Sequence, residues 1–231
     1  MTSVPADRAS VRLPQRNVLS DDVYESVKVK ALIMDHIVEP GARMSIDGLA
    51  RDLQVSPTPL REALARLESD GLVVKQPLRG YRATPLLTTQ ELTALYDFRL
   101  LIEPWAAAHA AERVNDAGVA ALEAEMDSGA DVPESGEYDT FKSLTMHDSR
   151  FHDLVAQLSG NEPLRLALER THCHLHTFRL YYSSGIGSQA VAEHRAVVKA
   201  IVGGRPEAAE KAMRRHLEKA LRRLVVATST D

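Results

Sequence analysis

Residues 45–82, SIDGLARDLQVSPTPLREALARLESDGLVVKQPLRGYR, read as two short helices, a tight turn and a basic hairpin. Ser45 is placed to cap a helix whose apolar positions Ile46, Leu49, Ala50 and Leu53 fall at helical spacing, and Gln54-Val55 then turns the chain. Ser56 restarts it as the next N-cap. Pro59 falls in the first turn, where its missing N–H has no intrahelical partner to lose, while Leu60, Ala63, Leu64 and Leu67 make a stripe that predicts burial. The opposite face carries Thr58, Arg61, Glu62 and Arg66. Asp70-Gly71 leads into Leu72 to Lys75, and Pro77-Leu78-Arg79-Gly80 reverses the chain before Tyr81 to Thr84. The order predicts a helix-turn-helix followed by a two-stranded wing.

In such a unit the N-terminal residues of the second helix face base edges in the major groove, and the wing reaches phosphates or the minor groove. Thr58 and Arg61 hold the reading positions. Arg61 has two donors for guanine O6 and N7, Ser56 and Thr58 suit phosphate or base contacts, and Arg79 and Arg82 belong to the wing. A lone arginine is as readily a solvated surface charge. The ordered block, more than any single residue, carries the DNA reading. Upstream, Val23, Val27, Ala31, Ile33 and Met34 form a helical stripe across Asp21 to Ile37, closed by Glu39-Pro40-Gly41.

With 231 residues and 44% hydrophobic content the chain suits two domains. The expected division is a loose tail over 1–19, a winged helix-turn-helix over 20–85 and an all-helical domain over 86–231. Residues 1–85 carry 12 Lys+Arg against 11 Asp+Glu and the remainder 16 against 21, within a net charge of −4. DNA binding must therefore use a local basic face, Arg61, Arg66, Arg79 and Arg82, and two copies on a symmetric operator would double the phosphate contacts. A homodimer is expected. The single cysteine, Cys173, excludes an internal disulfide framework and fits a cytoplasmic protein, and no apolar stretch predicts a signal peptide or membrane span.

Beyond Thr88, which is placed to cap a helix ahead of Glu91, the pattern predicts helices at about 89–113, 116–127, 137–158, 161–182, 187–203 and 206–227. Loops fall at Gly129 to Gly136, Ser159 to Asn161 and Ser183 to Gly187. The fold class is mainly α, with a C-terminal bundle of about six helices. Asp148 and His152 stand at i and i+4, on one helical face within reach of one ion. His194 lies nine residues before Gly203 and His216 ten after Pro206, so an antiparallel hairpin sets both imidazoles at one height. Three histidines and an aspartate suit a first-row divalent ion, Zn²⁺ first, with Ni²⁺ or Mn²⁺ also compatible. The competing reading makes His152 and His194 core histidines satisfied by carboxylates, and His216 a surface residue.

VSPTPLREALARLESDGLV followed by RGY resembles the GntR family of bacterial transcription regulators, whose winged helix usually reads VSRTPVREAL. Arg61 matches the second contacting arginine of that motif and Gly80 the wing glycine, whereas Pro57 replaces an arginine that usually contacts DNA, implying an unusual operator or weaker binding. LYDFRLLIEPWAAAHAA, DSRFHDLVAQLSGN and EHRAVVKAIVGGRPEAAEKAMRRHL extend the resemblance to the helical ligand-binding domain of the FadR branch, over roughly residues 20–226. Its metal-binding members use an Asp-x-x-x-His pair and two later histidines, which map onto Asp148, His152, His194 and His216. The resemblance implies a regulator, expected to be a repressor, whose grip on operator DNA responds to a small organic acid at the metal.

Arg99 is the leading partner for a bound carboxylate, because its fork matches two oxygens, and the competing assignment is a salt bridge to Glu103 at i+4. Arg150 and Arg179 are further candidates. His172 and His176 share a helical face, but no carboxylate or later histidine is left to complete a second site; His147 and His109 lie off the metal face. Two other functions fit the pattern. A pure metal sensor would have the ion as its effector, and a metal-dependent hydrolase or lyase would carry an accessory DNA-binding domain. The second is disfavoured because no glutamate is obviously placed near the histidines, and the chain is not expected to be an enzyme.

Overall fold

A computed structural model describes residues 29–129, 138–181 and 187–228. The expected tail, the first turns of the upstream helix and most of the predicted loops at 129–136 and 183–187 lie outside them.

Helix α1 (Val29–Met34) ends two residues before His36, whose φ of +57° turns the chain, earlier than the expected end at Ile37. Strand β1 (Arg43–Met44) precedes α2 (Ile46–Asp52), where Ser45 accepts from the Gly48 amide at 3.3 Å as its N-cap. Gln54, at φ +55°, makes the turn into α3 (Pro57–Ser69). Leu60, Ala63, Leu64 and Leu67 of α3 are all buried, in one core with Val29, Ile33 and Met34 of α1 and Val73, Tyr81 and Ala83 of the sheet. Burying each large aliphatic side chain stabilises the unit by about 1.5–3 kcal/mol.

The wing is β2 (Val73–Gln76) and β3 (Gly80–Ala83), paired antiparallel with Val73 opposite Ala83 and Gln76 opposite Gly80. β1 joins on the other edge of β3, so the sheet has three strands rather than the two expected from sequence. A two-residue strand carries no alternation to read. Gly80 needs its freedom: its φ is +82°, and a Cβ there would stand 3.2 Å from the Met44 carbonyl oxygen.

Thr88 caps α4 (Thr89–Arg113) in a reciprocal capping box with Glu91. Then follow α5 (Asp116–Ser128), α6 (Tyr138–Leu158), α7 (Glu162–Glu169), α8 (Cys173–Tyr181), α9 (Gly187–Val202) and α10 (Pro206–Thr228). The single helix expected over 161–182 is two. The Thr171 and His172 amides bond back only three residues, the Thr171 hydroxyl donates to the Leu168 carbonyl at 2.6 Å, and His172 takes φ +46°. No glycine or proline announces that break. In the bundle α10 packs along α4 and α9, and α4 also carries α6. Among the described residues no helix is long and apolar enough to cross a membrane.

Candidate metal centre and DNA-reading face

On α3, Ser56, Thr58, Arg61 and Arg66 are exposed, with Arg79 exposed at the wing. Ser56 stands at the N-cap with extended backbone but makes no side-chain cap bond, and Pro57 and Pro59 sit in the first turn. Arg82 is partly buried, and its guanidinium donates to the Gly41 carbonyl, tying the wing back to the turn before β1. Gly80, partly buried, opens β3 at the turn of the wing.

The four residues expected to form an ion site do converge. One ligand atom each from Asp148, His152, His194 and His216 lies within 4.8 Å of the others. Two ligands at about 2.1 Å on opposite sides of one ion stand about 4 Å apart, so the span is of the right size. The His194 and His216 rings, on α9 and α10, have centroids 4.7 Å apart, which is the mirrored register of the hairpin realised. His216 is 3% exposed, so the surface alternative fails.

Each imidazole is held from behind through Nδ1. His152 pairs with the Glu103 carboxylate. His216 donates to Glu193 Oε2 at 2.9 Å. His194 Nδ1 meets His147 Nε2 at 3.2 Å, and His147 Nδ1 in turn donates to Glu125 Oε1 at 2.9 Å. These partners occupy Nδ1 of each ring and leave Nε2 as the atom for an ion, which is how outer groups orient metal-binding histidines. Asp148 is fixed likewise: Oδ2 meets His174 Nδ1 at 2.6 Å, while Oδ1 lies 3.8 Å from His152 Nε2 and 3.4 Å from His194 Nε2.

The electrostatics prepare the donors. Burial pushes His152 down to about 4 despite Glu103, and burial followed by repulsion from His216 pushes His194 well below the ordinary imidazole range. Burial opposes ionisation of Asp148, but His174, His152 and His194 outweigh it and hold the carboxyl well below its usual range. Neutral imidazoles beside an ionised carboxylate are the protonation states that ligation requires. Among the described residues His194 Nε2 is buried without a hydrogen-bond partner, an orphaned acceptor at the convergence point. The residues fit a divalent ion.

Residues 19–82 match the bacterial regulatory proteins of the gntR family, and residues 94–219, more than half of the chain, match the FCD domain. The chain belongs to the GntR family. It is a transcriptional regulator with an FCD domain. The regulatory protein named for the L-lactate dehydrogenase operon of Escherichia coli K12 is 30% identical over 234 residues, covering 89% of this chain and 85% of that one. The uncharacterized regulator YdhC of Bacillus subtilis is 26% identical, over 82% and 84% of the two chains. In fold, McbR/YncC of E. coli superposes with a TM-score of 0.65 at 18% identity, covering 89% of this chain and 96% of that one. These relatives are regulators rather than enzymes.

In this GntR chain the three candidate effector arginines separate. Arg99, 2% exposed, pairs with Glu103 at 2.5 Å and also lies 3.4 Å from the His152 ring nitrogens, so the competing salt bridge exists at the rim of the cluster. Arg150 turns toward α5 and grips Glu125 at 2.8 Å. Arg179 stands away from the cluster, donating to the Thr84 carbonyl at 2.8 Å. Sequence reasoning missed Glu103, Glu125, His147, His174 and Glu193. The expectation that no glutamate stands near the histidines is overturned by Glu103 and Glu193. A signal existed for Glu193, which adjoins His194 in sequence; Glu125 and Glu103 are brought in only by helix packing.

Proposed function

We propose that this GntR regulator holds a divalent ion, Zn²⁺ first, at Asp148, His152, His194 and His216, and that a small carboxylate metabolite bound there controls its affinity for double-stranded operator DNA. The observation that carries the reading is the set of Nδ1 partners: Glu103, His147 and Glu193 each engage one ring at Nδ1, which leaves Nε2 of each as the atom for an ion, and the four residues converge. A bound ion would supply positive charge and open coordination positions to a carboxylate. Arg99, 3.4 Å from His152, is the cation best placed to receive the acid's second oxygen once Glu103 yields. Arg150 serves the site by fixing Glu125.

On the DNA side, Ser56, Thr58 and Arg61 read bases or nearby phosphates, with Arg66, Arg79 and Arg82 giving the basic face its charge. The proposal includes a head over 20–85, a sensing domain over 86–231, and a repressing homodimer working in the cytoplasm. Leu101 (77% exposed) and Trp105 on α4 offer an apolar face for the second copy. The test is operator binding by fluorescence anisotropy with stripped protein, with Zn²⁺ alone, and with Zn²⁺ plus a panel of small hydroxy and keto acids. Affinity that changes only with ion and acid together supports the reading. Affinity that responds to the ion alone makes the protein a metal sensor, and no response to either removes the site from regulation.

A further inference from the structure

Helix α8 has two working faces. His174 turns toward the ion site and meets Asp148. His176 and Arg179 of α8, with His172 at the break just before it, turn toward the winged unit. A Cβ on Gly71, at the end of the α3 turn, would stand 3.2 Å from His176 Nε2 and 3.8 Å from His172 Cδ2. Arg179 Nη2 donates to the Thr84 carbonyl at 2.8 Å, and the Thr84 hydroxyl donates to the Gly71 carbonyl at 2.6 Å.

Arg179 is 1% exposed, and its Nε and Nη1 are buried with no hydrogen-bond partner among the described residues. Among the described residues its guanidinium is bonded to a neutral carbonyl, that of Thr84. A buried cation without an anion is strongly unfavourable, and unsatisfied buried donors in a native fold call for an occupant. Burial alone draws the guanidinium down to about 10, with no acidic group opposing it. His176 is likewise drawn down to about 4 by burial and then by Arg179 and His172. Around Arg179 the seam gathers donors and cations, and no acid is hydrogen-bonded to its guanidinium among the described residues. At His172 the seam borders a cavity of about 430 Å³, lined also by Lys30 and Asp70 of the winged unit and by His174 and Leu175 of the bundle, while Arg179 and His176 stand behind its wall.

We propose that Arg179, with His172 and His176, forms a binding site for a small oxyanion, a carboxylate or inorganic phosphate, at the seam between the winged helix and the helical bundle. Its free N–H donors take the anion's oxygens. Gly71 follows the recognition helix and Thr84 follows the wing, so the occupant ties α8 to both ends of the DNA-reading segment. The site uses none of the ion's ligands and works without the ion.

The test uses the full chain after chelator treatment, titrated calorimetrically at constant pH with sodium phosphate and, separately, with sodium acetate. One of the two anions is expected to bind one per chain, at least tenfold more weakly in Arg179→Gln and unchanged in His194→Ala; the anion that binds identifies the chemistry. In unaltered protein the Arg179 Nε–H resonance shifts on adding that anion, a readout independent of how the variant folds. Absence of binding by both anions, equal binding by Arg179→Gln, or a resonance that does not move overturns the proposal. Loss of binding in His194→Ala also overturns it and places the anion at the ion site instead.

Discussion

Glu193 decides which nitrogen His216 offers to an ion. It accepts from His216 Nδ1 while Arg223 and Lys219 hold its two oxygens, and although burial opposes ionisation, His216 and Arg223 keep the carboxyl down at about 2. Glu193→Gln keeps the shape and weakens the acceptor, so Zn²⁺ affinity should fall about 10–100-fold, measured by competition with a chromophoric chelator. Unchanged affinity would mean the ring is oriented by packing alone. At the other end of the molecule, Arg61→Ala should cost specific operator binding about 1–3 kcal/mol while changing non-specific DNA binding less, read by anisotropy on matched duplexes. An equal loss on both duplexes would reassign Arg61 from bases to phosphates.

At the scale of elements, the wing and the α9–α10 hairpin do different work. Leu78 at the wing tip is fully exposed at φ +62°, a conformation that costs a side chain with Cβ about 1–2 kcal/mol. Leu78→Gly should therefore raise the urea midpoint, with a gain of about 1 kcal/mol, and a lower midpoint would show that the leucine packs in a way its exposure does not reveal. In the hairpin, His194 and His216 are flanked by buried Val197, Ile201, Met213 and Leu217. The double change His194→Ala with His216→Ala should abolish ion binding, measured by elemental analysis, while circular dichroism keeps its helical signal. Collapse of the helical signal would make the histidines part of what holds the hairpin together.

For the molecule as a whole, a net charge of −4 leaves DNA affinity to a small basic face, so binding should weaken steeply with salt, by about 0.9 log units per log unit of salt for each phosphate neutralised. Ion binding spans α6, α9 and α10, so it should stabilise the entire bundle. At a hundredfold excess over its dissociation constant the ion contributes about 2.7 kcal/mol, which for a chain of this size raises Tm by roughly 5–10 °C. Scanning calorimetry with chelator and with Zn²⁺ checks this, and coincident transitions would argue against an ion site.

The reading of α3, its buried stripe and the Thr88 capping box came from sequence because those signals are local: a helix repeats its contacts every three to four residues, and a cap acts over three. The Asp148–His152 pair is legible for the same reason, and the His194–His216 register because two helices share one short turn. What needed the tertiary structure lies across long sequence distances. Glu103 reaches His152 from another helix, Glu125 reaches His194 only through His147, and Arg179 ends buried against Thr84 with no acid bonded to it among the described residues. The two-residue strand β1 and the break at His172 also escaped, since backbone pairing and a side-chain bond to Leu168 make them without leaving a compositional mark. Periodicity determines which face of a helix turns inward, but only packing decides what that face meets.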